Sequence, residues 1–472
     1  MDAPSYQELL LENQQLREQL AQRDRRIEQL EKTVRELLQR IAELERAAKR
    51  QSAPFSKGEP KKNPKKPGRK SGAKHGTHAH REPPPPAEVT EILDAPLPEQ
   101  CPHCGGEVVE ERLDEQFQTE IPRKPIVRKF KIHCGHCKKC HKPLRGRHPL
   151  QTSDATGAAR SQLGGDAQAA IVYLNKHVGM SHGKISHAFD KLFGIKVTPG
   201  ASAQTVVRAG RILKPVYDEI AAKIKGSEYL TPDETGWRIG GHPAWLHGWV
   251  GDEGATLFAI DPQRNADVLE KVIGIDWSGT LTHDGYSSYD RFEDAAHQQC
   301  NDHALRRART LRDKHKGLAK RFPQRVIDLL TGALKRRDRF DEEKAGDDRR
   351  DRAYWDYIGR LRQLTKRPLA NKENATFAKH LRKHAAEWFL FLVDPSIPAT
   401  NHRGEQALKV PIVNRKVWGG NRTTAGGEAQ AVTSSVLATC QKKAVDVFQF
   451  FGNAFRGTIG KLFPQPTAVN AK

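Results

Sequence analysis

Apolar side chains recur at alternating spacings of three and four along residues 9–48. With Leu9, Leu16, Arg23, Leu30, Leu37 and Leu44 at d, the a positions are Asn13, Leu20, Ile27, Val34, Ile41 and Ala48. The pattern predicts one long helix with a heptad seam, and Leu at d with β-branched residues at several a positions favours a parallel two-stranded coil. Glu12 with Arg17, Arg26 with Glu31 and Arg40 with Glu45 fall as pairs across that seam. Self-association through residues 9–48 is therefore expected, the alternative being an amphipathic helix packed on its own protein. Arg23 is the misfit at d.

The periodicity stops between residues 51 and 98. Residues 57–74 hold eight Lys and Arg against one Glu, and prolines at 60, 64 and 67 prevent a helix. An extended basic tether is expected, with Lys61, Lys62, Lys65, Lys66, Arg69 and Lys70 suited to a DNA backbone or simply to solvation. Pro83 to Pro86 form a stiff spacer. Cys101-Pro-His-Cys104-Gly-Gly and Cys137-Lys-Lys-Cys140 then read as the two knuckles of a zinc ribbon, each supplying two thiolates from a tight turn. Residues 130–132 alternate like a half-buried strand between them. Cys134 also forms a C-x2-C pair with Cys137, which leaves the pairing open; Cys137 with Cys140 leaves a complete second knuckle. Four thiolates fill the tetrahedron, so such a zinc ion is structural.

Helices are predicted over 166–177, 181–193 and 199–225, with Ser181 and Thr198 as N-caps and Pro199 in the first turn. Short helices joined through Gly179 and Gly194 resemble a helix-turn-helix, although many such pairs bind nothing. After Ser227 the apolar period becomes alternating. Strands are expected at 228–232 leading into Asp233-Glu234-Thr235-Gly236-Trp237, at 244–250, at 256–260, at 279–285 and at 297–300. Helices are expected at 265–273, 287–292 and 302–313. The order β-β-β-α-β-α-β-α is that of the ribonuclease H fold, so the expected class is α/β (α+β) with a ribonuclease H-like core. Its first and fourth strands are neighbours, which would bring Asp233 and Asp284 together. Either acid alone reads as a turn or cap residue; paired, they suit two Mg²⁺ ions, or Mn²⁺, acting on a phosphodiester.

Composition narrows the partners. The 472-residue chain carries 79 Lys and Arg against 57 Asp and Glu, a formal charge of +22. Such a balance points to a polyanion, because cations gain affinity by displacing counterions from phosphates. No apolar run is long enough to span a membrane and the N-terminus does not read as a signal peptide. Seven cysteines, five of them between 101 and 140, suit a metal cluster in a reducing cytosol better than a disulfide framework. Mean hydropathy of −0.71 leaves enough apolar residues for a core and few to spare.

Taken together these segments resemble the DDE transposases of bacterial insertion sequences, in particular the insertion sequence 66 family. The resemblance runs through the N-terminal coil, Pro64-Lys-Lys-Pro-Gly-Arg-Lys70, the CPHCGG knuckle, Asp233-Glu-Thr-Gly-Trp237, His283-Asp-Gly-Tyr286 and Cys300-Asn-Asp-His-Ala-Leu-Arg-Arg307. It implies Asp233 and Asp284 as the first two catalytic acids and Glu405, in Thr400-Asn-His-Arg-Gly-Glu405, as the third. His402 stands where the family has a second Asn and Gln406 where an Arg commonly follows, with Glu428 the reserve candidate. Cys300 and His303 look like the C-x2-H element of such enzymes, or else are a buried strand residue and a helix-face residue. The implied division is a coiled coil over 1–50, a linker over 51–98, the zinc ribbon over 99–150 and a helical region over 151–226. The catalytic core then covers 227–313 and 395–445, around a helical insertion over 314–394, and a tail covers 446–472. The implied activity is Mg²⁺-dependent cleavage and strand transfer on double-stranded DNA, at transposon ends and target, by a bacterial, cytoplasmic, nucleoid-associated protein. Accessory proteins of the same element are possible partners. The alternatives are a zinc-ribbon, coiled-coil DNA-binding regulator with an inactive nuclease fold, and a ribonuclease H-like nuclease without strand transfer.

Overall fold

The computed structural model describes residues 6–48, 83–119, 121, 124–154 and 162–463. They fall into two units, Met1–Thr119 and Glu120–Lys472. The basic segment holding Lys61, Lys62, Lys65, Lys66, Arg69 and Lys70 lies outside the described residues, as do the side chains of Leu9, Asn13, Leu44 and Ala48.

In the first unit, helix α1 (Tyr6–Ala48) runs unbroken through the predicted heptads. Leu16, Leu20, Ile27, Leu30, Val34, Leu37 and Ile41 are each more than half exposed. The seam is thus an apolar stripe in contact with water, a state that burial against another surface would relieve.

The second unit opens with a small antiparallel hairpin, β1 (Cys134–His136) and β2 (Pro143–Arg145). The strand expected around 130–132 does not form; pairing begins at Cys134, where β2 supplies the ladder partner. Helices α2 (Gly165–Lys176) and α3 (His182–Phe193) follow as predicted. The expected 199–225 helix is instead two, α4 (Pro199–Ile212) and α5 (Lys214–Lys225), broken at Leu213 (φ −87°, ψ 2°). Pro215 is the cause: it has no N–H for the Arg211 carbonyl and its ring crowds that oxygen. Ser181 and Thr198 do cap, accepting from the Lys184 and Ala201 amides.

Five strands then build one sheet: β3 (Tyr229–Ile239), β4 (His242–Val250), β5 (Thr256–Asp261), β6 (Thr280–His283) and β7 (Ala296–Gln299). Their order is β5-β4-β3-β6-β7, with β3, β4 and β5 antiparallel and β6 and β7 parallel to β3. Helix α6 (Ala266–Ile273) shares a core with Leu230, Trp249, Leu257 and Leu281. After β7 come α7 (Asn301–Lys314), α8 (Arg321–Glu342), α9 (Asp347–Lys366), α10 (Lys372–Lys383) and the short α11 (Leu390–Val393). These helices enclose a second core around Leu330, Leu361, Phe377, Phe389 and Phe391, to which α7 contributes Leu305 and Leu311, so the body extends beyond the expected 314–394. The chain returns to the sheet as α12 (His402–Trp418), α13 (Thr424–Lys442) and α14 (Val447–Phe455). Among the described residues no helix is long and apolar enough to cross a membrane.

Candidate active site

The parallel ladder between β3 and β6 is short, ending at Leu230 opposite Leu281. Asp233 and Asp284 stand equally far beyond that last pair, on the same side of it. Asp233 is therefore not at the end of its strand, as expected, but within it: β3 continues to Ile239 against β4. Asp284 does follow the end of β6. There Gly285 turns the chain with φ +89°, and a β-carbon at that position would come 2.9 Å from Gln299 Oε1. The Tyr286 amide donates to Asp284 Oδ1 (3.0 Å) and the Gly285 amide to His283 Nδ1 (3.2 Å). His283 is buried, 3.0 Å from His297 Nδ1, and His297 Nε2 lies 2.9 Å from the Phe292 carbonyl. Burial, then the neighbouring His297, push His283 down to about 3. His283 Nδ1 accepts from the Gly285 amide, so His283 Nε2 donates to His297 Nδ1 and His297 Nε2 donates to the Phe292 carbonyl.

Glu405 reaches this edge from the first turn of α12. Residues 398–401 are fastened to the start of α7 and the end of β6. The Asn301 amide donates to the Ala399 carbonyl (3.0 Å), and Thr282 Oγ1 to the Pro398 carbonyl (3.4 Å). The buried Cys300 Sγ accepts from the Asn401 amide (3.4 Å), and burial raises its thiol, so Cys300 serves as packing and anchor. The buried Gly404 then lies on β3; a β-carbon there would be 3.0 Å from Asp233 Cβ and 3.2 Å from the Thr231 carbonyl. Leu408, one turn on, enters the core formed by Trp237, Ala244, Leu246 and Phe258. Glu405 Oε1 lies 3.7 Å from His303 Nε2 and 4.0 Å from an Arg306 nitrogen. The other nitrogen of His303 is buried without a hydrogen-bond partner in the described structure. Glu428 is exposed on α13.

Electrostatics link the three acids. Burial pushes Asp233 up to about 7, the charge of Glu234 adds to it, and Asp284 and Glu405 raise it further. Like-charged carboxylates in a partly buried cleft are held there at a cost, which a cation relieves. Among the described residues no three His, Cys, Asp or Glu side chains stand as a ready ligand set for one ion. The donors nevertheless fit the chemistry of Mg²⁺ or Mn²⁺, which takes one or two carboxylates per ion, keeps water and completes its shell with phosphate oxygens.

A family model described as Transposase IS66 family matches residues 160–429. The chain belongs to the IS66 transposase family. Membership implies a DNA-processing enzyme that binds DNA. The matched span contains Asp233, Asp284 and Glu405, and begins after both cysteine knuckles and α1. No curated protein matches the chain.

In this IS66 family member each cysteine knuckle is a turn of the same kind. The Gly105 amide donates to the Cys101 carbonyl and the Cys101 amide to the Gly106 carbonyl; His141, Cys137 and Lys142 repeat the arrangement. Gly105 has φ +71° and His141 φ +56°. The His103 amide, then that of Cys104, holds the Cys101 thiol below its usual value, and the amides of Cys140, then Lys139, do the same for Cys137. Cys134 instead belongs to β1, with Sγ 3.9 Å from the Ile132 carbonyl. Cys101 and Cys104 belong to the first unit and Cys137 and Cys140 to the second.

Glu234, Arg264, Tyr286 and Tyr289 form one bonded group beside Asp233 in this family member. Glu234 and Tyr286 stand in the two acid motifs without a role legible from sequence, and nothing in the sequence marks Arg264 or Tyr289. The contact of His303 and Arg306 with Glu405 was legible only as a C-x2-H spacing.

Asp233 ordinarily ionises near 3.8 and here near 7, so between those values the unfolded chain releases a proton that the folded chain keeps. Stability accordingly falls as pH rises through that window, with the full penalty present above it. Asp233→Asn is expected to stabilise the fold at about pH 8 by roughly 1–3 kcal/mol, several degrees in Tm, and to leave it unchanged near pH 4. Thermal unfolding in chelator at both pH values checks this; equal Tm values at the higher pH would contradict it.

Proposed function

We propose that this chain cleaves the ends of an insertion sequence and joins the freed 3′-hydroxyl to target DNA, on a ribonuclease H-like core. The observation that carries the reading is the convergence of Asp233, Asp284 and Glu405 from two neighbouring strands and a helix packed on one of them. The strand order β5-β4-β3-β6-β7, antiparallel then parallel, favours that core. Asp233, Asp284 and Glu405 are the side chains that would hold two Mg²⁺ ions, or Mn²⁺. When bound, such ions activate a water or hydroxyl for in-line attack on a phosphodiester and stabilise the leaving oxygen. His303 and Arg306 keep Glu405 at the cleft through contacts from α7. The same helix exposes Arg306, Arg307 and Arg309, a row suited to a phosphate backbone leading away from the acids.

The remaining segments take supporting roles. Cys101, Cys104, Cys137 and Cys140 would hold a structural Zn²⁺, in keeping with their two matching turns and lowered thiols. The exposed seam of α1 favours pairing of two protomers, each bringing one DNA end. Residues 61–70 and the helices α2–α4 would then bind the ends and flanking backbone, and nucleoid association follows from that affinity.

Asp233→Asn, Asp284→Asn and Glu405→Gln are each expected to lower cleavage of end-bearing DNA in Mg²⁺ by about a thousandfold or more, with end binding within about threefold. Glu428→Gln should retain activity. Gel assays with a plasmid target separate the readings: cleavage without joining favours a nuclease, and salt-sensitive binding without cleavage favours a regulator. An Asp284→Asn protein that still cuts and joins removes the catalytic assignment.

Elemental analysis is expected to find about one zinc per chain, as a four-thiolate site requires. Cys137→Ser or Cys140→Ser should lose it and Cys134→Ser should keep it; the reverse result reassigns the knuckle to Cys134.

A further inference from the structure

Beside the three acids stands a fourth carboxylate that something must restrain. Glu234 follows Asp233 on β3, yet its side chain is only 4% exposed. Arg264, between β5 and α6, donates to Glu234 Oε1 from both Nε (3.0 Å) and Nη2 (2.8 Å). Tyr289 donates its hydroxyl to Glu234 Oε2 (3.0 Å). Both carboxylate oxygens are therefore engaged by protein donors.

Arg264 also reaches the Asp284 turn. Its guanidinium lies over the ring of Trp245 on β4 (4.7 Å) and over the ring of Tyr286 (4.6 Å). Its backbone carbonyl accepts a hydrogen bond from the Tyr286 hydroxyl, and the Tyr286 amide donates to Asp284 Oδ1. A connected path thus runs from β3 through Glu234, Arg264 and Tyr286 to the carboxylate of Asp284. Asp284 itself is exposed and is followed by Gly285, so its carboxylate depends on the contacts of this turn for its position.

We propose that Arg264 is a positioning residue that locks Glu234 out of the acid cluster and fastens the Asp284 turn to β3 and β4. It thereby sets the separation of the Asp233 and Asp284 carboxylates for a divalent cation, which rests on the reading of those acids under the proposed function. A planar guanidinium is needed for this. A lysine keeps the charge but neither donates twice to one carboxylate oxygen nor stacks on two rings.

The test is Mn²⁺ binding to the full chain without DNA, followed by electron paramagnetic resonance of the free ion, for wild type, Arg264→Ala, Arg264→Lys and Asp284→Asn. Arg264→Ala and Arg264→Lys are both expected to weaken Mn²⁺ binding about tenfold or more, in the range of partners that orient metal ligands. The metal requirement for DNA cleavage should rise in step, saturating Mn²⁺ should restore most of the rate, and DNA affinity in chelator should be preserved. Should Arg264→Ala unfold, Glu234→Gln/Arg264→Met removes the buried charge, keeps the aliphatic stem and is expected to show the same loss against Glu234→Gln alone. Unchanged or tighter Mn²⁺ binding in the Arg264 variants, or full rescue by Lys, overturns the positioning role. If Asp284→Asn loses Mn²⁺ while Arg264→Ala keeps it, only this inference falls. If Asp284→Asn binds as wild type does, the acids are not the ion site and both readings fall.

Discussion

Carboxylates repel one another, and this fold spends packing energy to keep three of them at one sheet edge. The contact that imposes the arrangement is the first turn of α12 on β3, where Gly404 lies so close that a β-carbon would meet Asp233 Cβ at 3.0 Å. Leu408 then locks the helix in the apolar core on that face, and burying such a side chain is worth about 1.5–3 kcal/mol. Asp233 registers the consequence: burial first, and then its acidic neighbours, carry it up to about 7. A positive charge placed beside these carboxylates would offset that cost.

The helical segment from α7 to α11 has to leave the sheet and return without loosening that contact. It does so by closing its own core, so that α7 through α11 form a body with a filled interior. Departure and return are then stitched at one place. Asn301 and Cys300 on the outgoing side hold Ala399 and Asn401 on the returning side, while Thr282 on β6 holds Pro398. Cys300 owes its position to this seam. The same seam starts α7, which carries His303 and Arg306 to within 4.0 Å of Glu405. Acid and surrounding cations are thus arranged by one local junction between segments a hundred residues apart in the chain.

How much of this could be read beforehand depended on whether the cause was local. Ser181, Thr198 and Pro199 announce helix starts because a cap is satisfied by the next three residues, and α3 and α4 begin where expected. Pro215 announces a break just as locally, yet the apolar spacing on either side concealed it. Asp284 was legible from a strand ending in Asp-Gly. Asp233 was legible as an acid on the first strand but not as a mid-strand residue, because β4 rather than β6 decides how far β3 runs. Glu405 came only through family resemblance, since nothing near it in sequence states that α12 will lie on β3. Arg264 came not at all: a loop arginine acquires meaning only when Glu234, Trp245 and Tyr286 surround it.

Helix α12 is also held at its far end. Asn414 donates to the Lys176 carbonyl at the end of α2 (2.6 Å), and Gly179, with φ +80°, permits the approach: a β-carbon there would fall 2.3 Å from Asn414 Oδ1. The Lys176 ammonium lies over the Trp418 ring and donates to Gln430 on α13; burial lowers it to about 7. The end of α2 and the Gly179 turn therefore hold the same helix that carries Glu405. Between its two anchors α12 contains Pro411, which has no N–H for the Ala407 carbonyl, so each end of the helix depends on its own contact: Gly404 against β3 and Asn414 against the end of α2.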